Sequence, residues 1–371
     1  SLLIGVGGCV AQKERDALTE RFPYLDIVFG PNAVPDIVTL VRRAECGERP
    51  VVATPEDGPA PRSDQALRNG QARIQAWVSV MRGCDNYCSY CVVPYVRGPQ
   101  RSKDPIEVAR EVQKLAAEGV VEITLLGQNV NSYGQDLPEK TTFARLLESL
   151  NDIPGISRIR FTTSHPKDFS RDLIRAIRDL SRVCEHVHLP VQSGSTRILA
   201  LMNRGYSAEQ YVERVAALRD LVPGVGLTTD VIVGFPGETE EDFEQTRLLL
   251  ERVQFDGAYI FKYSVRSGTA AARLDGRVTR PAIADRHKEL LEFQKRISLA
   301  RLKDMIGTTQ SVLPEKADER RPGHVTGRTR GHRVASIPGD ASLVGREITI
   351  SVDRLDGWTL IGTPSHTRKD S

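Results

Sequence analysis

Cysteine is scarce in this sequence, and long apolar runs are missing altogether. Only six cysteines occur in 371 residues, which argues against a disulfide framework and favours metal chemistry in a reducing compartment. No apolar run approaches the about 18 residues that a transmembrane helix needs. No basic start followed by a short apolar run indicates a secretory leader. We therefore predict a cytoplasmic location and no membrane partner.

A strong excess of charge of one sign is also missing, because the net charge is only +3. Whole-chain charge therefore does not indicate nucleic-acid binding. The distribution says more, since residues 320–333 contain five arginines, two histidines and no acidic residue. A charge run of this kind is most often a solvated surface, and taken alone this one is interpreted in that way.

Three of the six cysteines form a C-x3-C-x2-C pattern, namely Cys84, Cys88 and Cys91. Three thiolates are one ligand short of a closed tetrahedral zinc site, and iron–sulfur clusters usually take four. A cluster with three ligands leaves one iron open to bind a reactant. A structural zinc site is the alternative, and it needs a fourth ligand such as His165 or His186.

Strand and helix patterns alternate regularly from residue 76 onward. Apolar runs predict six strands, at Trp77–Met81, Val121–Leu126, Ile156–Thr162, His186–Val191, Leu227–Gly234 and Ala258–Tyr263. Amphipathic patterns near residues 105–118, 142–150, 168–180, 207–221 and 239–253 predict the helices between them. Such an order implies parallel pairing through right-handed crossovers, and six strands predict a partial (β/α)6 barrel. Its site is expected at the C-terminal ends of the strands.

Two further units flank the predicted barrel. Strand and helix patterns in residues 2–46 predict an α/β unit, followed by a connecting segment over residues 47–72. After a long polar helix near residues 281–305, short runs at 309–313, 333–336, 347–352 and 359–361 predict a small β-barrel. The predicted domains are 1–70, 71–306 and 307–371. Because the chain opens at Ser1 directly with an apolar run, we expect that an N-terminal portion is missing.

Most predicted barrel strands run straight into a polar or glycine-rich loop. The first leads to the cysteine loop, and the others carry candidate binding residues, among them Gln128, Asn129, Gln192, Ser193, Gly234 and Glu238. One such loop is a weak signal, because loops are commonly polar. Six in succession indicate one shared site.

The cysteine loop, GCDNYCSYCVVPYVRG, resembles the radical S-adenosylmethionine (radical SAM) superfamily. Together with LLGQNVNSYG, HLPVQSGS and VGFPGETEEDF it resembles the methylthiotransferase family, over about residues 1–365. The resemblance implies that Cys84, Cys88 and Cys91 hold a [4Fe–4S] cluster whose open iron chelates SAM. It implies that Tyr90 lies against the adenine of SAM and that the strand-end residues named above help to bind this cofactor. No side chain is predicted to act as a catalytic acid, base or nucleophile.

Within that family the loops resemble enzymes that convert N6-dimethylallyladenosine beside the tRNA anticodon to its 2-methylthio derivative. The resemblance implies the tRNA anticodon loop as the partner, an external electron donor, and a monomer. TGRTRGHRV, at residues 326–334, resembles the motif of the family's RNA-binding TRAM domain. Arg328, Arg330 and Arg333 are therefore predicted to contact RNA, since guanidinium groups suit phosphates and unpaired bases.

The N-terminal unit resembles part of the family's methylthiotransferase domain. GGCVAQ, at residues 7–12, matches the segment that supplies the third ligand of an auxiliary [4Fe–4S] cluster, which makes Cys9 a predicted ligand. Its two partner cysteines are expected upstream of Ser1, so the second cluster is predicted only where those cysteines are present.

Two alternatives stay open. One is a related radical SAM methylthiotransferase that acts on another tRNA nucleoside or on a ribosomal protein, and a lack of tRNA affinity would favour the protein substrate. The other is an RNA-binding remnant without methylthiolation activity. Release of 5′-deoxyadenosine from SAM separates an enzyme from such a remnant.

Overall fold

The computed structural model describes residues 2–56, 67–68 and 74–365 of the chain. A small parallel sheet comes first, a partial parallel barrel with outer helices follows, and a closed β-barrel ends the chain. This order confirms the predicted fold class. Much of the predicted connecting segment, residues 47–72, lies outside the described residues.

The N-terminal sheet consists of three short parallel strands, β1 (Gly5–Gly7), β2 (Ile27–Phe29) and β3 (Val51–Ala53). Its helices are α1 (Cys9–Glu14), α2 (Asp16–Arg21) and α3 (Ile37–Glu45), with a 3-10 turn at Pro31–Asp36. The pattern predicted one helix over residues 11–21. The structure has two, because Arg15 adopts a left-handed φ of 48° and interrupts the helical hydrogen bonding.

The partial barrel contains six parallel strands. They are β5 (Gln75–Ser79), β8 (Glu122–Leu126), β9 (Arg158–Phe161), β10 (His186–His188), β11 (Gly226–Val233) and β12 (Gly257–Lys262). A short strand β4 (Leu67–Arg68) pairs antiparallel with β5, and β6 (Met81–Arg82) pairs with β7 (Arg101–Ser102). The outer helices are α4 (Val93–Arg97), α5 (Pro105–Ala117), α6 (Phe143–Asn151), α7 (Arg171–Asp179), α8 (Thr196–Leu201), α9 (Ala208–Leu221) and α10 (Glu240–Val253).

The six strands curve as one layer with two unlike faces. A parallel bridge between Ile159 and Val183 joins the sheet that ends at β9 to the sheet that begins at β10. Side chains such as Val78, Leu125 and Val231 point to the helices and are fully buried in the main core. Because side chains alternate along a strand, the residues between them face the inside of the barrel, which we call the lumen.

Helix α11 (Arg280–Lys303) leads to the C-terminal barrel. That barrel is formed by β13 (Thr309–Ala317), β14 (His324–Thr329), β15 (Val334–Pro338), β16 (Ile348–Asp356) and β17 (Thr359–Pro364). It closes in the order β13-β14-β15-β17-β16 around its own apolar core. The sequence pattern predicted four of these strands. It missed β14, whose buried residues are Val325, Gly327 and Thr329. Only one of these three is strongly apolar, so the strand does not show the usual alternation of apolar and polar residues.

The C-terminal barrel docks against the N-terminal ends of the partial-barrel strands. The turn between β14 and β15 enters there, and the backbone carbonyls of Thr329 and Arg330 accept hydrogen bonds from Arg160 at 2.9 and 2.8 Å. At the start of β11, a Cβ on Gly226 would lie 2.5 Å from the carbonyl oxygen of Gly331. The opposite mouth, at the C-terminal strand ends, is left for the site.

None of the helices in the described ranges combines the length and apolar character needed to cross a bilayer.

Candidate active site

The cysteine loop lies between β6 and α4, above the C-terminal end of β5. Gly83 precedes it with a φ of 73°, and a Cβ there would lie 1.9 Å from the carbonyl oxygen of Pro99. The loop then turns tightly, since the Cys91 N–H donates to the Cys88 carbonyl oxygen at 2.9 Å. Burial raises the pKa of the Cys84 thiol, and it raises the pKa of Cys91 to about 11. Metal binding at this loop would therefore have to displace thiol protons.

A zinc site at these thiols would need several ligating side chains grouped around one point. Within the described part of the chain, no three His, Cys, Asp or Glu side chains surround one point in the manner of such a site. Zinc requires that arrangement. Thiolates of a four-iron cluster each bind a separate iron and do not converge. His186, one of the two candidate fourth ligands, lies at the N-terminal end of β10 and is stacked on His332 with ring centroids 4.8 Å apart.

Several buried polar atoms at the C-terminal strand ends have no hydrogen-bond partner among the described residues. They are Gln128 Oε1, Asn131 Oδ1, Ser164 Oγ, His165 Nε2 and Tyr263 Oη, which follow β8, β9 and β12. Buried polar groups are normally bonded, and such exceptions require an explanation. All five atoms lie in loops at the same end of the partial barrel, which fits a polar ligand at this mouth.

His165 is the most sharply defined of these groups. Its Nδ1 accepts a hydrogen bond from the Lys167 N–H at 3.2 Å, so in the neutral ring the proton is on Nε2. Burial, followed by the charges of Arg204 and Lys167, lowers the pKa of His165 to about 2. The imidazole is therefore a neutral donor that lacks an acceptor.

Other predicted cofactor residues hold the loops together through side-chain or backbone hydrogen bonds. Asn129 donates to Asp168 at 2.7 Å and accepts from the His165 N–H at 3.1 Å. The Ser193 hydroxyl lies 3.3 Å from that of Thr246. Gln192 has a φ of 72°, and its N–H donates to the Asp230 carbonyl oxygen. That these residues also contact SAM stays a prediction.

Gly234 and Glu238 form a clamp after β11. The Gly234 N–H donates to Glu238 Oε1 at 2.9 Å, and Arg286 of α11 donates to the same oxygen at 2.7 Å. Burial raises the pKa of Glu238, and these two partners oppose the rise. The Glu238 carboxylate is thus already hydrogen-bonded within the protein. Gly234 has no side chain, so a ligand could contact only its backbone.

Tyr90 lies in an apolar patch beside the cysteine loop. It packs against a cluster that contains Ile198, Met202 and Phe235, and Tyr263 packs there too. A flat ring next to apolar side chains is a suitable surface for a purine. The structure thus brings Tyr90 and the strand-end loops to one mouth of the barrel.

Between the cysteine loop and the loops after β8 and β9 lies a polar cleft of about 340 Å³. Gln100 joins its walls, since its side-chain amide donates to Asp136 at 2.8 Å and to the Ser132 carbonyl oxygen at 2.7 Å. Asp85 and Lys167 also line the cleft. It is a polar entrance beside the cysteines.

The lumen contains exposed aromatic side chains and a polar pair that the sequence analysis did not identify. Trp77, Tyr259 and Phe261 are 41%, 61% and 51% exposed on its face. His188 lies between Thr228, at 3.0 Å from Nδ1, and Asp230, at 3.5 Å from Nε2. The signal was available in the alternation of polar and apolar residues along β10, β11 and β12.

Cys9 and the predicted RNA-binding arginines lie elsewhere. Helix α1, which Cys9 begins, packs against α4, which follows Cys91, with a cavity of about 360 Å³ beside them. In the C-terminal barrel, Arg330 forms a two-pronged ion pair with Glu185, and Arg333 pairs with Asp256. Arg328 is more exposed and lies 3.5 Å from Glu315. Two of the three arginines therefore face the partial barrel.

Both barrels of this chain match known protein families in sequence. A family model described as the Radical SAM superfamily matches residues 78–250, and one described as the TRAM domain matches residues 303–364. A protein of Moorella thermoacetica named tRNA-2-methylthio-N(6)-dimethylallyladenosine synthase is 46% identical over 364 residues, which is 97% of this chain and 82% of that protein. A protein of the same name from Caldicellulosiruptor saccharolyticus is 47% identical over 91% of this chain and 71% of its own length.

Solved structures share the fold at low sequence identity. The radical S-adenosylmethionine methyltransferase TsrM of Kitasatospora setae, in a structure with cobalamin and a [4Fe–4S] cluster, aligns with a TM-score of 0.55 at 16% identity. The alignment covers 73% of this chain and 58% of that one. A second structure of TsrM, with tryptophan and a SAM analogue, aligns with a TM-score of 0.53.

Proposed function

The chain belongs to the family of tRNA-2-methylthio-N(6)-dimethylallyladenosine synthases, and we propose that it attaches a methylthio group to carbon 2 of an N6-dimethylallyladenosine in tRNA. The observation that carries this proposal is the 46% identity over 97% of the chain. The three-cysteine loop at the open mouth of the partial barrel is the chemical feature that supports it. The target is the nucleoside beside the anticodon, within an unpaired loop that a protein can reach at little cost.

The residues at this mouth fit the cofactors of a radical SAM enzyme. Cys84, Cys88 and Cys91 would hold the cluster, and the loops after β8, β9, β11 and β12 would hold SAM. The unpartnered atoms of Gln128 and His165 are available to a polar ligand. When bound, the cluster and SAM would supply the radical chemistry that activates carbon 2 of the adenine. The protein's own residues bind, orient and shield the reactants.

The lumen is the proposed place for the target base. Tyr259 and Phe261 on β12 offer apolar faces, which suit both a purine and a branched five-carbon prenyl group. His188 and Asp230, on neighbouring strands, are positioned to hydrogen-bond the edge of that base. In this arrangement the aromatic residues select the prenylated nucleoside, and the polar pair orients it toward the cysteine loop.

Three further features of the family concern RNA binding, the auxiliary cluster and the electron donor. The C-terminal barrel would hold the tRNA, with Arg328 as a phosphate contact. Cys9 would contribute one thiolate to an auxiliary cluster, of which this sequence supplies no second ligand in the same motif. A low-potential external protein would deliver the electron.

The function is tested with protein reconstituted anaerobically with iron and sulfide. Reduced protein is expected to release 5′-deoxyadenosine from SAM, and mass spectrometry of nucleosides from prenylated tRNA is expected to show the 2-methylthio product when the auxiliary cluster is complete. Cys88→Ala should abolish SAM cleavage, whereas Cys46→Ala, which changes an exposed cysteine at the end of α3, should not. SAM cleavage without any affinity for tRNA would reject the proposed substrate and favour a protein target.

A further inference from the structure

Arg204 is a buried cation that meets no carboxylate in the described part of the chain. The residue is only 4% exposed, and it follows α8 in the loop before α9. Its guanidinium donates to the Pro190 carbonyl oxygen at 2.7 Å and to the Tyr206 hydroxyl at 3.0 Å. Its Nη1 lies 3.5 Å from Cys88 Sγ and 3.5 Å from the Tyr90 hydroxyl. No Asp or Glu oxygen of the described residues lies within 4.0 Å of it.

Other buried arginines in this protein do meet a carboxylate. Arg158 pairs with Glu347 at 2.8 Å, Arg160 with Glu122 at 2.9 Å and Arg286 with Glu238 at 2.7 Å. Burying a charge is costly unless it is paired and hydrogen-bonded. An arginine keeps its proton even when buried. Among the described atoms that contact the Arg204 guanidinium, the Cys88 sulfur is the one that becomes negatively charged when it binds a metal cluster.

We propose that Arg204 is a positioning residue that raises the reduction potential of the iron–sulfur cluster bound by Cys84, Cys88 and Cys91. The inference rests on the proposed function, because it needs that cluster. Arg204 acts on it through an N–H to sulfur hydrogen bond and through its positive charge. Hydrogen bonds to the sulfurs and nearby charges are established determinants of cluster potential.

The direction of the effect follows from charge. A four-iron cluster in its oxidised state, with three thiolates, carries one net negative charge, and it carries two after it accepts one electron. That electron comes from the external low-potential donor, and Arg204 neither gains nor loses a proton. A buried positive charge stabilises the doubly negative state more than the singly negative one. Removing Arg204 should therefore make the cluster harder to reduce.

The competing explanation is that Arg204 only ties the end of β10 to the following loop, through Pro190 and Tyr206. Such a role predicts lower stability for any variant that loses these hydrogen bonds, whether or not the cluster is present. If Arg204 is instead a charge partner of the cluster, its positive charge is not offset in the metal-free protein. A variant that removes this charge should then be no less stable than the unsubstituted protein when metal is absent. Stability without metal and the potential with metal therefore separate the two explanations.

The experiment compares the unsubstituted protein with Arg204→Lys, Arg204→Gln and Arg204→Met, and with Arg158→Gln as a control. Arg158 is also fully buried, but it lies at the N-terminal end of β9 and pairs with Glu347. Iron and sulfide content, thermal unfolding with and without metal, and a redox titration followed by electron paramagnetic resonance are measured for each protein.

We expect Arg204→Gln to lower the equilibrium constant for one-electron reduction at least about tenfold, which corresponds to a midpoint about 59 mV lower. Arg204→Lys, which keeps the charge, should shift it less, and Arg158→Gln should leave it unchanged. In the metal-free protein, Arg204→Met should unfold at the same or a higher temperature than the unsubstituted chain. This last measurement does not depend on a variant retaining its cluster.

An unchanged midpoint in cluster-loaded Arg204→Gln would overturn the inference and leave the proposed function standing. A lower unfolding temperature of metal-free Arg204→Met, equal to its loss with metal, would also overturn it in favour of the purely structural role. Failure of the unsubstituted protein to bind a four-iron cluster would instead overturn the proposed function, and the inference with it.

Discussion

Glu238 illustrates how a residue can shape the mouth of the barrel while its own side chain is engaged within the protein. Its carboxylate accepts hydrogen bonds from the Gly234 N–H and from Arg286, and only 3% of the side chain is exposed. Gly234 is suited to its position because its φ is +74° and a Cβ would lie 2.3 Å from Ile283. The loop after β11 is thus held rigidly at the mouth of the barrel, where a preorganised backbone can bind a ligand.

The lumen aromatic residues should decide how well the prenyl group is recognised. Changing Tyr259 and Phe261 together to alanine removes two apolar surfaces on β12. Stacking of a base on an aromatic side chain is worth about 1–3 kcal/mol. We expect roughly 10- to 100-fold weaker binding of a prenylated anticodon stem-loop, with little change for the unprenylated one, as measured by fluorescence anisotropy.

A matched control for this variant is Tyr24→Ala. Tyr24 is 62% exposed, as Tyr259 is, but it lies on the N-terminal unit outside the lumen. It should leave both affinities unchanged. Equal losses for the prenylated and unprenylated stem-loops would mean that the lumen aromatic residues do not read the prenyl group.

At the scale of elements, strong periodicity was enough to predict most of the partial barrel. The apolar strands β8, β11 and β12 lie where the pattern predicted them, as do the capped helices α5 and α10. Helices α4 and α8 were missed, because five and six residues are too few to show a helical period. The contacts of Arg204, Asp230 and Arg286 could not be predicted, because they join loops and strands far apart in sequence.

The turn between β14 and β15 packs against the partial barrel at the start of β11, where Gly226 lies close to Gly331. Gly226→Ala would place a Cβ 2.5 Å from the Gly331 carbonyl oxygen, so backbone must move. We expect a loss of about 1–3 kcal/mol in the free energy of unfolding, measured by urea denaturation. Gly257→Ala, at the start of the adjacent strand β12, is the control.

In that control the new Cβ would lie 3.5 Å from Thr228 Cγ2, which is an ordinary contact. Its stability should therefore stay close to that of the unsubstituted protein. Equal stabilities of the Gly226→Ala and Gly257→Ala proteins would show that the turn is not packed against β11 in solution.

At the scale of the whole molecule, arginines fasten the C-terminal barrel to the partial barrel. Arg158 donates to the Arg328 carbonyl oxygen at 2.7 Å as well as to Glu347, and it has no exposed surface. From the other side, Arg330 reaches Glu185 and the Val183 carbonyl oxygen. Deleting residues 307–371 would therefore remove the Arg328 carbonyl and Glu347 from Arg158 and two carbonyl acceptors from Arg160, which would keep only its pairing with Glu122. Point substitutions are for that reason the better test of RNA binding.

Two arginines of the basic run in the C-terminal barrel should have different functions, one in RNA binding and one in stability. Arg328→Ala removes a partly exposed guanidinium and should lower tRNA affinity, with the slope of log affinity against log salt reduced by about 0.7–0.9. Its unfolding temperature should not change. Arg330→Ala breaks a partly buried ion pair and should cost about 1–3 kcal/mol of stability, because Glu185 loses its partner.

Salt titrations of tRNA binding and calorimetric unfolding of the same protein samples distinguish these effects. If Arg330 served chiefly as a phosphate contact, its alanine variant would lose affinity and salt dependence as Arg328→Ala does and would unfold at the normal temperature. If Arg328→Ala left both affinity and salt slope unchanged, the phosphate contact would have to lie elsewhere on the barrel. The predicted pattern makes Arg328 a contact to RNA and Arg330 a link between the domains, so that tRNA held by one domain is presented to the site of the other.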